Sequence, residues 1–293
     1  MAIYAIPFGD TNIASSRLRI YNIGPHIKNY NIGPPGDHPV YKEKSDQIKK
    51  GDVLIIQKYP AIEQLRWAKE AGAKVIYDID DYYWDRPEYK TMIDEADLVT
   101  VDTEYKKRML NGKAVVIPDS LDWDGTRIDW TMQKIGGPNG KDFIVKTISG
   151  PNYEKILVPE NFPEEKGFER FSGKIIGWTG YGNNSQYLND VVDKIPEDYT
   201  LRLVTSPDWY KHLIDPNNKV QSRPWSVAMV DKYLAECDYG MYYLPDKDFE
   251  NCKGMHKLLK NWAIGLPTYI SPMPDYVMAF VEADVDGTDL IIK

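Results

Sequence analysis

NCKGMHKLLKNWAIGLPTYIS, residues Asn251 to Ser271, reads as one helix that hands over to one strand. Lys253, His256, Lys257 and Lys260 recur at i, i+3, i+4 and i+7, while Met255, Leu258, Leu259, Trp262 and Ala263 keep the same period half a turn away. One face is expected to pack and the other to carry positive charge. Gly265 stands where a helix needs a left-handed C′ residue, Pro267 forbids continuation, and Thr268, Tyr269 and Ile270 favour a strand. This reading puts Lys253 in the first turn, where the macrodipole and unsatisfied N–H groups disfavour a cation and favour an anion. A bound diphosphate would resolve the conflict. The alternative is an ordinary solvated lysine face.

Working outward, the same alternation fills both ends of the chain. Upstream of the stretch come a strand and glycine turn in KIIGWTG (Lys174 to Gly180), a helix over Ser185 to Val192 and a strand in LRLVTS (Leu201 to Ser206). A helix over Val227 to Ala235, a strand in DYGMYYLP and the loop DKDFEN complete that half. The first half opens with the strand AIYAIPF (Ala2 to Phe8), then a loop in which Ser15 or Ser16 caps a helix over Arg17 to Ile23. Strands follow at Val53 to Gln57, Lys74 to Tyr77, ADLVTVDT and AVVIP, with helices at Ala61 to Ala71, Glu88 to Glu95 and Glu104 to Leu110. Strands and helices at this spacing make right-handed parallel α/β sheets. Between them, 119–172 is irregular and rich in Gly, Pro and Asn, with one candidate strand at Phe143 to Ile148. The expected fold class is α/β, two Rossmann-like parallel-sheet domains (1–118 and 173–293) facing a central cleft across an interdomain insertion (119–172).

Composition narrows the class. The 293 residues, 42% hydrophobic and 27% charged, suit two globular domains, and no apolar run reaches the ~18 residues of a membrane span. Met1 to Phe8 lacks the basic region of a leader and reads as a strand. Cys237 and Cys252 form neither a metal spacing nor a disulfide framework, which fits a cytoplasmic protein, monomer or homodimer. A formal charge of −8 argues against a broad nucleic-acid surface but leaves room for a local basic groove. The 21 tyrosines and 8 tryptophans suit sugar-handling clefts, cores and interfaces alike.

Three constellations carry the candidate chemistry. Gly177-Trp178-Thr179-Gly180-Tyr181-Gly182-Asn183-Asn184 follows a strand and precedes a helix, so its glycines let backbone N–H groups approach an anion and its asparagines can donate too; it matches no P-loop or dinucleotide fingerprint and equally serves as a tight βα turn. Asp78, Asp80 and Asp81, with Asp85 nearby, end a strand; close carboxylates repel, so one can act as a base, or the group can bind a cation or sugar hydroxyls, or simply cap a turn. Tyr82, Tyr83 and Trp84 beside them suit stacking on a sugar ring or the core. In Ser15-Ser16-Arg17-Leu18-Arg19 the arginines at a helix start call for an anion, either a ligand or the aspartate cluster itself. No Ser-His-Asp, HExxH or CxxC pattern is present.

Taken together these segments resemble the GT-B glycosyltransferases, in particular the group-1, family-4-like retaining enzymes of small bacterial or bacteriophage type. ASSRLR resembles the family's acceptor-domain loop, and KVIYDIDDYYWD a VVYDIDDDLW-type segment of polysaccharide and phage enzymes. ADLVTVDTEYKKRML and AVVIPDSLD resemble the close of the N-terminal domain, IIGWTGYGNN the glycine turn of the donor domain, and NCKGMHKLLKNWAIGLPTYIS the KSxxKxxEYxAxGxPVI element. The departures fall in that last element. Cys252 and Lys260 stand where the family has a glutamate pair, the second of which holds the ribose; Glu250 or Asp248 are the candidate substitutes. Ile291-Ile292-Lys293 ends the chain where the resemblance leads one to expect a final helix crossing back.

The resemblance implies that Gly180, Tyr181, Gly182, Asn183, Lys253, Gly254, His256 and Lys257 bind the diphosphate of a nucleotide-sugar donor, a UDP-sugar, without a metal or other cofactor. Arg17 would assist, and Asp78, Asp80 and Asp81 would face the acceptor, a saccharide or a hydroxymethylated DNA base. Transfer would proceed with retention. Two rival readings stay open here: a GT-A enzyme binding manganese through the Asp78-Ile79-Asp80 triplet, and a non-catalytic two-domain binding protein.

Overall fold

The computed structural model describes residues 1–35, 47–119, 133–136, 142–145, 148–150, 153–156, 174–205, 213, 219–266, 268–271 and 273–274. Its contacts divide the chain into two units. The first gathers the described residues of Met1–Leu121, Asp246–His256 and Met273–Val285, and the second those of Asp122–Pro245, Lys257–Pro272 and Asp286–Lys293. The return of Asp246–His256 to the first unit was not foreseen.

The first unit is built on six parallel strands: β1 (Ile3–Ile6), β2 (Tyr30–Ile32), β3 (Val53–Gln57), β4 (Lys74–Asp78), β5 (Leu98–Val101) and β6 (Ala114–Val116). Their order is β2-β1-β3-β4-β5-β6. The chain winds outward from β1 on one side, then restarts at β3 on the other, which creates a switch point between the carboxyl ends of β1 and β3. The core is made by residues such as Ile56, Val75, Tyr77 and Met92, all fully buried. Leu65 and Ala68 turn one face of the helix Ile62–Glu70 onto it, and Gly72 at φ +80 ends that helix in the left-handed region. Thr103 caps the helix Glu104–Met109, its hydroxyl accepting from the Lys106 amide at 3.1 Å.

The second unit has five parallel strands, β11 (Lys174–Thr179), β12 (Tyr199–Thr205), β13 (Val220–Pro224), β14 (Tyr239–Tyr242) and β15 (Thr268–Ile270), in the order β13-β12-β11-β14-β15. Its switch point lies between β11 and β14. Ile176, Trp178, Leu201 and Leu203 anchor the core on one face of this sheet, while Leu234, Cys237 and Ile264 belong to a second cluster. The insertion forms two antiparallel pairs, β7 (Gln133–Gly136) with β8 (Asp142–Val145) and β9 (Ile148–Gly150) with β10 (Tyr153–Ile156), where one strand was expected.

Several elements differ from expectation for physical reasons. Ser16 does not cap the Arg17 helix; it lies inside a short helix, Ala14–Ser16, that runs into a π-turn at Arg17–Tyr21. The segment Gly182–Asp190 is 3-10 rather than α, as suits a run holding one glycine and three asparagines. The helix of the opening stretch begins at His256, so Lys253 is not in its first turn. A separate short helix, Asp248–Asn251, precedes it. Both cysteines are buried thiols, and Gly265 is left-handed at φ +76, as a helix C′ residue is expected to be. Among the described residues no helix is long and apolar enough to cross a membrane.

Candidate functional site

Two places deserve a chemical reading, one in each unit. In the first, parallel register sets Gln57, Asp78 and Thr100 side by side at the carboxyl ends of β3, β4 and β5. Asp78 accepts from Arg19 through both oxygens, at 2.8 and 2.5 Å, and from the Thr100 hydroxyl at 2.6 Å. The same guanidinium donates to the Ile117 carbonyl and to Asp119 at 3.0 Å. Burial opposes the Arg19 charge, but Asp78 and Asp119 outweigh it, so its pKa is raised further. Of the two arginines in the Ser15 to Arg19 loop, it is Arg19 that meets the aspartates. Arg17 is buried and donates to the Thr11 carbonyl at 2.7 Å.

Asp80 and Asp81 continue the cluster. Lys58 pairs with Asp81 and lies 3.6 Å from Asp80, whose Oδ1 is buried without a hydrogen bond. Lys253 donates to Asp81 at 2.5 Å. Burial would raise the Asp81 pKa, yet the two ammonium groups hold it well below the usual carboxylate range. Lys106 is wholly buried and bridges the Asp80 carbonyl and the Asp102 carboxylate. Asp102 in turn is raised to about 7, by burial first and then by Asp119 and Asp80, with Lys106 opposing. His256 Nδ1 stands 3.7 Å from Asp119.

Lys58, Lys106, Asp102 and Asp119 were missed by sequence reasoning. The i, i+4 spacing of Asp102 and Lys106 was a usable signal; Lys58, at φ +60 just past β3, had none. Two residues of the expected diphosphate set, Lys253 and Gly254, lie at this cluster. Lys253 neutralises Asp81, and a Cβ on Gly254 would collide with Asp102, so these two residues serve the carboxylate cluster rather than a first helical turn.

The second place is the end of β11. The Thr205 hydroxyl donates to the Gly180 carbonyl at 2.8 Å, fixing the turn that follows the strand. A Cβ on Gly180 would come within 2.5 Å of the Trp178 ring and 3.3 Å of Lys257 Nζ, so the lysine ammonium reaches this turn. Lys257 opens the helix His256–Ala263 and lies 4.8 Å from the Tyr242 ring centre and 6.0 Å from that of Trp178. Tyr181 is 57% exposed, Asn183 is exposed and Gly182 is buried. Lys260, at the position where the resemblance expects glutamate, pairs with Asp231 at 2.9 Å. Gly180 and Lys257 thus meet at the switch point between β11 and β14, where open parallel sheets take ligands.

No family model and no curated protein matches the chain. The solved structure of Anabaena HepE in complex with UDP superposes over 95% of this chain and 82% of its own, at a TM-score of 0.58 and 12% identity. A weaker likeness, TM-score 0.48 at 12% identity, is to S. aureus MnaA with UDP, over 95% of this chain and 82% of that one. The fold is GT-B. The GT-A alternative fails on this fold, since the chain has a second parallel sheet, and Asp78 of the proposed metal-binding triplet is occupied by Arg19.

Proposed function

We propose that this GT-B chain is a glycosyltransferase that moves a hexosyl or pentosyl group from a UDP-sugar to an acceptor hydroxyl, with retention and without a metal ion. The observation that carries the reading is Lys257 reaching the Gly180 turn at the switch point of the second sheet. There the ammonium, the amides of Tyr181, Gly182 and Asn183 and the start of the helix His256–Ala263 are of the kind that stabilises a departing diphosphate. HepE, of the same fold, holds UDP in its crystal. In the first unit Asp80 and Asp81 are the acceptor-facing candidates, while Asp78, held by Arg19 and Thr100, orders the strand end. A saccharide acceptor suits the aromatic neighbours Tyr82 and Trp84, whose rings stand 4.8 Å apart.

Titration calorimetry with UDP and mass spectrometry of a donor and acceptor panel test the reading. UDP should bind, Lys257→Ala should weaken it by about tenfold or more, and turnover should survive EDTA. Absence of binding by every nucleoside diphosphate, with no hydrolysis of any nucleotide sugar, would overturn it. Binding without turnover would point to the non-catalytic alternative.

A further inference from the structure

We propose that Asp246–His256 is a proton-linked clasp on the carboxyl edge of the first sheet, seated while Asp102 and Asp119 share a proton and loosened when that proton leaves. The seat is built from several contacts. Lys253 donates to Asp81 and lies 4.0 Å over the Phe249 ring, which itself meets Tyr83 at 6.1 Å. Cys252 is fully buried, and Gly254 closes so tightly on Asp102 that a side chain would collide with the carboxylate. Asp102 is therefore covered by backbone, and an ionised carboxylate there is denied water.

Among the described residues, the ion pairs that join it to its neighbours hold more carboxylates than permanent cations. Asp78, Asp80, Asp81, Asp102 and Asp119 supply five carboxylates, against four permanent cations in Arg19, Lys58, Lys106 and Lys253. Each element packed on Asp102 adds to the account: Asp80 after β4, Lys106 on its own helix, Asp119 after β6, Arg19 from the π-turn, and Lys253 and His256 on the clasp itself. Asp81 stays ionised near neutrality and the Cys252 thiol, pushed up to about 12 by burial, stays neutral, so neither supplies the proton.

The sign follows from linkage. With the clasp seated, Asp102 holds its proton up to about 7; with it lifted, water returns and the carboxyl falls towards its ordinary value. The seated form therefore binds the proton more tightly. Seating is strongest in acid, weakens as pH rises from the ordinary carboxylate range to about 7, and levels off above it.

Native-state hydrogen exchange on the full chain tests the clasp without any ligand. After correction for intrinsic rates, amides of 250–256 should be protected about tenfold more at roughly pH 5.5 than at roughly pH 8, and Asp102→Asn should remove that dependence and stay protected throughout. Flat protection in the wild type, or a variant that tracks the wild type, overturns the proposal. Should Asp102→Asn not fold, Lys253→Gln serves instead: about tenfold less protection of 250–256 is expected throughout the range, and wild-type protection would overturn the clasp.

Discussion

At the carboxyl end of the first sheet four cations and five carboxylates are locked against one another, whereas at the matching end of the second a lysine lies over two aromatic rings beside a glycine turn. In the first place the side chains are one another's counter-charges, so each is committed to the fold and removal of one strands another in a low-dielectric interior. In the second, the ammonium faces two ring quadrupoles, whose attraction is modest, beside a glycine turn whose amides are of the kind that meets an anion. A buried charge network is therefore a better sign of architecture, and a lysine at a glycine turn a better sign of binding.

The largest expected effect that separates the two is Arg19→Ala. It leaves the Asp78 carboxylate buried with only Thr100 for company and should cost about 3–5 kcal/mol in urea unfolding of the whole chain; a loss below 1 kcal/mol would mean the network is not as dry as it looks. Gly180→Ala comes next. Its Cβ must displace the Trp178 ring from 2.5 Å, and about 1–3 kcal/mol is expected, read as a lower urea midpoint. A smaller effect on stability is expected of Lys257→Ala, whose contacts with the Tyr242 and Trp178 rings are worth about 1 kcal/mol, even as UDP affinity falls. A destabilisation as large as that of Arg19→Ala would erase the contrast.

Much of the fold was legible in the sequence because central strands of parallel sheets are short apolar runs with turn residues on both sides. VLIIQ at Val53–Gln57 was placed to the residue for that reason. Two of the four edge strands of the parallel sheets, Tyr30–Ile32 and Val220–Pro224, were not, since their half-solvated polar side chains give no apolar run, whereas the other two edges, Ala114–Val116 and Thr268–Ile270, are apolar or β-branched enough to be read. Helical period carried the reading of the opening stretch too far back: Lys253 fits the period, but Gly254 lets the backbone turn onto Asp102 and the helix starts at His256. The aspartates ending β4 were visible as a candidate site, yet their partners arrive from the ends of other strands and from a distant loop. Only Lys106, four residues from Asp102, left a local trace.

Lys253 and Gly254 reach the first sheet from a part of the chain that lies between β14 and β15 of the second. A gene fragment that stopped near residue 121 would encode every strand of the first sheet but leave its five carboxylates facing Arg19, Lys58 and Lys106 alone. Recombination that joined this sheet to a foreign second half would need to bring a lysine and a glycine at the same two places. The halves are thus bound to be inherited as a pair, and a peptide spanning 246–256 added in trans is the natural complement for a severed first half.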